Sequence, residues 1–422
     1  MFKQSLHHYS KHLWIIFVLI LLTGCWDQQE ISKQAYVVAI GMDKYEKNPN
    51  KIKVSYLIAN PDVGQASTGG GGQSEPPAVV MSFPANDITT AKDIANMEVA
   101  KPISYDMLKI IIVSEEFARD ENFVKWLYDT TKEPEIKMDI RMLVVPEGAA
   151  AFLNRNKPIL ETRPHEYYEL ILRHGDVTGL VPPTDDLLTF FRIAEAGEDM
   201  FLAIYGTTTE SDEKHTDFNV KAGELPIQAK VKDRPSYAGA AAFFQGKMVD
   251  IYTAEEARLV ILMNNTYADT TMLDTVNDPF NKDNKLAVQI HRNGITNTKM
   301  DFHKGKPRIK VKVPINVQIV NHSMHNISYS ASKRHTLKRS IEQEFQERFQ
   351  KFIDKTKEET KAQPFGWSLA ARKAFATIPA YEAFRFNKQY PDMEVSVTVE
   401  VILGQDGRQN KTPTMQDLRD KK

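Results

Sequence analysis

Apolar and polar positions follow two different rhythms along this chain. In its first half apolar residues come in unbroken runs. The run 35–43 (Ala-Tyr-Val-Val-Ala-Ile-Gly-Met-Asp) is rich in β-branched residues and predicts a strand buried on both faces. Residues 51–59 begin with strict alternation and predict its partner, across a turn at Asn48, Pro49 and Asn50. Beyond them the pattern predicts a helix over 86–100, a strand over 109–113, a helix over 115–130, a strand over 139–145 and a short helix over 146–153. Strands and helices alternating over 35–153 make one mixed α/β domain, with an exit at 154–158. A middle stretch predicts a helix over 166–174 closed by Gly175, and a second helix capped by Thr184 with Asp185 and Asp186 in its first turn. A strand over 201–205 follows, and the polar, acidic residues 207–223 mark a boundary.

From Ser236 the rhythm changes to alternation. Runs 237–244 and 248–252 flank Gln245-Gly246-Lys247 as a hairpin, and Thr253-Ala254-Glu255-Glu256 opens a helix to Met263 with a capping box. Strands are predicted over 286–290, 298–302 and 308–320. In the last, Ile309, Val311, Val313, Ile315, Val317 and Ile319 share one face, while Pro314 on the other predicts an edge or a bulge. A long helix over 332–360 carries the stripe Leu337, Ile341, Phe345, Phe349, Phe352 and Ile353. A helix over 368–377 and a strand over 394–401 close the pattern. The predicted class is α+β, elongated and multidomain with mixed α/β domains, the C-terminal one an antiparallel-rich sheet with a long amphipathic helix. The expected segments are 1–24, 25–157 with a mobile Gly-rich loop at 61–77, 158–223, 224–404, and a polar tail at 405–422.

Composition narrows the function. With 42% hydrophobic and 26% charged residues the chain is ordinary globular material, and a net charge of −1 argues against a nucleic-acid partner. A single cysteine leaves no disulfide framework, so packing alone must hold the domains. Candidate chemistry fails at each place it arises. His165-Glu166-Tyr167-Tyr168-Glu169 lacks the second histidine of a zinc-binding helix. The acids of 195–199 lack calcium-loop spacing and read as a solvated helix end. Gly69 to Gly72 precede no helix with a phosphate-binding lysine, and His322 and His325 carry no ligand pattern. No Gly-x-Ser-x-Gly elbow occurs. No catalytic, cofactor-binding or metal-binding residue is therefore expected, and no enzymatic activity.

The chain start is more specific. Lys3 and Lys11 precede an apolar run over 13–22, shorter than the roughly 20 residues that cross a bilayer. A charged start, an apolar middle and small residues at the end form a secretory signal. Its close, Leu22-Thr23-Gly24-Cys25, resembles the lipobox of bacterial lipoproteins, which implies that Cys25 becomes residue one and carries a diacylglyceryl group with acyl chains such as palmitate. Trp26-Asp27, Glu30-Ile31 and a strand closing on Gly41-Met42-Asp43-Lys44 follow directly. This opening resembles the Ger(x)C family, the lipoprotein C subunits of spore germinant receptors. The order helix 86–100, strand 109–113, helix 115–130 and the later Gly-Ala-Ala strand at 239–244 resemble it too. Two places depart. Met107-Leu108-Lys109 stands where the family has His-Leu-Lys, and Gln363-Pro364-Phe365-Gly366-Trp367 matches its Phe-Gly motif in part.

The resemblance implies a lipid-anchored subunit on the outer, extracytoplasmic face of the spore's inner membrane. Its implied partners are the membrane-embedded A and B subunits of a germinant receptor, and its implied role is in germination triggered by small nutrients. The residues name neither the germinant nor a contact with it. The competing class is a lipid-anchored small-ligand-binding protein feeding a transporter. That class implies two similar lobes, whereas the two halves here differ in rhythm.

Overall fold

The computed structural model describes residues 33–59, 76–158, 160–183, 185–209, 233–282, 284–320 and 331–404. The apolar runs of the first half form a mixed sheet. Strands β1 (Ala35–Lys44), β5 (Ile110–Ser114), β6 (Arg141–Val145) and β7 (Phe201–Thr207) lie parallel at its centre. The hairpin partners β2 (Ile52–Ala59) and β3 (Ala78–Ala85) extend one flank, and β8 (Ser236–Phe244) and β9 (Lys247–Tyr252) the other, all antiparallel. The two-residue β4 (Ile103–Ser104) pairs with the start of β1. The border expected at 223/224 thus runs between β7 and β8, which are paired neighbours in one sheet.

Parallel strands need crossover helices, and these cover both faces. On one side α4 (Ala149–Arg155) and α5 (Pro164–Thr178) pack over Val38, Ile112, Leu143 and Ile204. On the other, α1 (Ile88–Glu98), α2 (Glu115–Ala118), α3 (Phe123–Tyr128) and α6 (Leu187–Ala196) pack over Val37, Ile40, Ile111 and Val144. The single helix expected over 115–130 is broken, because Asp120 caps a turn whose Asn122 amide bonds its carboxylate at 2.8 Å. The α5 helix runs past Gly175, whose missing side chain leaves room for Val181. It ends instead on Gly179, at φ 63°. The second helix takes Asp186 as its cap, while Thr184 lies outside the described residues.

The alternating half forms a second sheet, in the order β10 (Met272–Asn277), β11 (Lys285–Arg292), β13 (Lys306–Ile319), β12 (Asn297–His303), with β14 (Glu394–Leu403) parallel to β13 on its far side. Pro314 therefore sits in a central strand, contrary to the edge or bulge expected. Its carbonyl accepts from Asn293 N at 2.9 Å, so its nitrogen faces the same side, at the gap where β11 ends and β12 begins. A missing N–H costs no ladder bond there.

Helix α8 (Ala331–Lys355) lays its predicted stripe on this sheet, every stripe residue buried. The chain then widens into one π-helical turn, Thr356–Thr360, where a continuous α-helix was expected. The expected helix 368–377 is likewise divided, into α9 (Trp367–Arg372) and α10 (Ile378–Phe384) with Thr377 as the cap of α10, followed by α11 (Phe386–Gln389). Between the two sheets lies α7 (Ala254–Met263). Thr253 and Glu256 complete both halves of its capping box. It is apolar almost all round because it packs on β8 and β9 and on the second sheet at once.

Candidate functional site

The polar groups that the fold buries gather at joints between its layers. One joint grows from the loop between α6 and β7. Gly197 closes α6, and the next two carboxylates reach residues 363–387 of the second half. Asp199 accepts from Ser368 Oγ and Gln363 Nε2. Gln363 in turn accepts on its side-chain oxygen from Phe365 N at 2.8 Å and Trp367 N at 3.2 Å, and its carbonyl accepts from Met200 N at 3.0 Å. Tyr381 OH donates to Glu198 Oε2 at 2.9 Å, and Asn387 Nδ2 donates to Gly197 O. Phe365 and Trp367 pack as tilted rings beside this network, 35° between their planes and centroids 4.5 Å apart. Burial pushes the carboxyl of Asp199 above the usual range, and its neutral donors bring it only partly back. The acids of 195–199 were expected on a solvated helix end. Asp199 is instead the buried centre of a clasp, because its partners come from the far half of the chain.

A second joint is ionic. Arg348 of α8 reaches Asp274 Oδ1 on β10 at 3.2 Å, Thr275 O at 2.6 Å, Glu344 at 2.6 Å and Glu255 of α7 at 3.3 Å. Two turns on, Lys355 pairs with Glu256 at 3.0 Å and with Asp250 of β9 at 3.3 Å. Burial pulls its ammonium down, but the two carboxylates hold it above its usual value. One face of α8 thus ties the second sheet, α7 and the first sheet together.

A third joint closes the first half on itself. Arg141 at the start of β6 bonds Asp185 before α6, Asp176 of α5 at 2.8 Å and the Pro182 carbonyl at 2.8 Å. Burial, with a smaller push from Asp176, raises the Asp185 carboxyl to about 7 against the opposing pull of Arg141.

The Gly-Met-Asp stretch of the opening also has a structural task. Asp43 accepts from the first amides of α4, Ala149 N at 2.7 Å and Ala150 N at 3.0 Å. A Cβ on Gly41 would sit 3.1 Å from the Ala149 Cβ and 3.2 Å from the Ser55 Cβ, so a larger residue there would press α4 and β2 away from β1 by a few tenths of an ångström. Beside it Glu147 accepts from Thr208 N and Oγ1, both at 2.6 Å, and from Thr207 Oγ1 at 3.0 Å, which ties β6 to the end of β7.

The remaining candidates separate. Cys25, Gly69 to Gly72, His322 and His325 lie outside the described residues. His165 lies 3.7 Å from Glu166, while Glu169 pairs with Lys109 and Arg173, each at 3.2 Å. Among the described residues no group of three or more His, Cys, Asp or Glu side chains is placed to hold a metal ion, and no helix is long and apolar enough to cross a membrane. Sequence reasoning missed the Asp199 clasp. Its available signal was the Gln-Pro-Phe-Gly-Trp stretch, whose Gln363, Phe365 and Trp367 all take part.

Comparison with known proteins follows the same two halves. Residues 27–206 match the family described as "Spore germination protein N-terminal domain", and residues 238–407 match "Spore germination B3/ GerAC like, C-terminal". The chain is 22% identical over 401 residues to "Putative spore germination protein YfkR" of Bacillus subtilis (strain 168), covering 94% of this chain and 96% of that one. It is 28% identical over 137 residues to "Spore germination protein KC" of the same strain, 32% of this chain and 33% of that one. A solved structure, "Crystal Structure of the GerBC protein", is similar at a TM-score of 0.49 and 15% identity, over 89% of this chain and all of that one. Two consecutive matches to one kind of protein account for both halves of the sequence, and the chain belongs to the Ger(x)C family of spore germination proteins.

Proposed function

We propose that this chain is the lipid-anchored C subunit of a nutrient germinant receptor. It works by protein–protein contact with the membrane-embedded A and B subunits, held by Cys25 on the outer face of the spore's inner membrane. The observation that carries this reading is the ordered match of both halves to spore germination domains. The buried polar groups fit a role in contact rather than catalysis. Asp199, Arg348 and Arg141 are each engaged in joining one layer to another.

The anchor makes a quantitative demand. One acyl chain holds a protein only marginally on a membrane, and the two chains of a diacylglyceryl group supply stable attachment. Cys25→Ala should therefore release the protein from the membrane fraction and impair its processing. Deleting the whole subunit should disturb assembly of the A and B subunits and slow nutrient germination. Normal assembly and germination without it would overturn the reading.

A further inference from the structure

The second half presents an exposed surface that no joint uses. From Leu369 to Lys388 the chain folds as α9, α10 and α11 against β12, through the rings of Phe302, Phe375 and Phe384, whose centroids lie 5.0–6.0 Å apart. Outward it shows apolar side chains. Leu369 and Ile378 are each 53% exposed and Phe302 is 48% exposed. The same segment carries Arg372, Lys373, Arg385 and Lys388, all exposed, with Glu382 as the one exposed acid between residues 369 and 388.

Topology fixes which end of the protein carries this surface. Strands β1, β5, β6 and β7 are parallel, so their N-terminal ends lie together. At that end β1 begins at Ala35, ten residues after Cys25, a span of at most about 35 Å. At the same end, three strand spacings or about 14 Å across the sheet, the Gly197-to-Asp199 loop enters β7. That loop holds residues 363–387 through Asp199, Glu198 and Gly197.

We propose that the exposed face of residues 369–388 rests on an anionic lipid surface, as a second membrane contact beside the tether. Exposed cations beside exposed apolar side chains suit a headgroup layer, to whose anionic lipids each is attracted. A protein interface has a rim of mixed polar character, whereas the exposed charges of this segment are four cations to one acid. The orientation rests on the anchor reading, but the surface can be tested without it.

The test uses residues 26–422, which hold every described residue and carry no lipid and no cysteine. Sedimentation with vesicles of phosphatidylcholine and about 30 mol% phosphatidylglycerol should capture this chain, and pure phosphatidylcholine should not. Charge reversal at Lys373, Arg385 and Lys388 to Glu should cut capture about fivefold or more, with circular dichroism unchanged. An environment-sensitive dye on Ile378→Cys should shift to the blue with anionic vesicles, whereas one on Glu46→Cys, beyond the opposite end of β1, should not. Capture that survives charge reversal, or a dye at residue 378 that stays in water, overturns the proposal. So does absence of capture. If charge reversal then still slows germination in spores, the face binds a protein instead. Membrane release by Cys25→Ala is scored separately, so either idea can fail alone.

Discussion

The two sheets solve the same problem of burial in opposite ways. The first is covered on both faces, and its central strands show it, with β5 and β7 buried at every position. The second is covered on one face only. Along β13 the apolar residues from Ile309 to Ile319 turn toward α8 and α7, while Lys310 and Lys312 face water. A strand with helices on both sides carries no free face for charge, so its sequence loses alternation. A strand with one wet face keeps it. The difference in rhythm along the chain is therefore a record of layer count.

Equal truncations in the two cores test whether these layers behave as one unit. Phe190→Ala under the first sheet and Phe349→Ala under the second, both fully buried, should each cost about 3–5 kcal/mol in urea unfolding. Trp126 packs against the first core and Trp367 within the second, so each reports its own side. Because α7 and the Asp199 clasp join the sides, both signals should shift together in both variants. Two separate transitions would divide the molecule at those joints.

The Arg141 joint distinguishes the first half by its response to pH. The folded Asp185 carboxyl titrates at about 7, above its unfolded value, so its contribution to stability is full below about pH 4 and is lost as pH rises through 7. The slope is at most about 1.4 kcal/mol per pH unit. Asp185→Asn should flatten the fall in stability between pH 4 and 7 in a pH series of denaturation curves. An unchanged slope would remove Asp185 from the account.

The clasp between halves should weigh less. Asp199→Ala leaves the Ser368 hydroxyl and the Gln363 amide without their acceptor and should cost about 1–3 kcal/mol. Asp199→Asn keeps an acceptor for these donors and should cost less than alanine. A loss as large as that of alanine would mean that the charge itself is required.

On the wet face of the second sheet the smallest effect is expected. Hydrogen bonds from Arg308 and Lys310 hold the exposed Asp301 carboxyl at about 2, yet Asp301→Asn should leave the melting temperature where it was, since solvent screens such pairs. A clear drop would show that this face is less open than its strands suggest.

Periodicity revealed the elements that local chemistry decides. The stripe from Leu337 to Ile353, the Thr253 capping box and the alternation of β13 are each set within a few residues of chain. What escaped depends on neighbours distant in sequence. Pro314 looked like an edge because nothing local shows that β11 stops and β12 starts beside it. Gly175 and Gly179 are both plausible helix ends, and Val181 and Met272 decide between them. The short strand β10 carries only Met272, Asp274 and Val276 inward, too few to stand out. Asp199 finds Ser368 across 169 positions, and no local pattern announces a buried acid. The order of family segments was legible, while the joints that bind them were not.

The pairing of β7 with β8 bears on how the chain folds while it is being made. A polypeptide is synthesised from its N-terminus, so β1 to β7 all exist before β8 follows. During that interval the sheet ends on the unpaired backbone of β7, a template for pairing with any other strand at hand. The flank is completed only when Tyr252 has been added and β9 can close on β8. Until then that edge is open to wrong pairing, an exposure that a chain with self-contained halves would not carry.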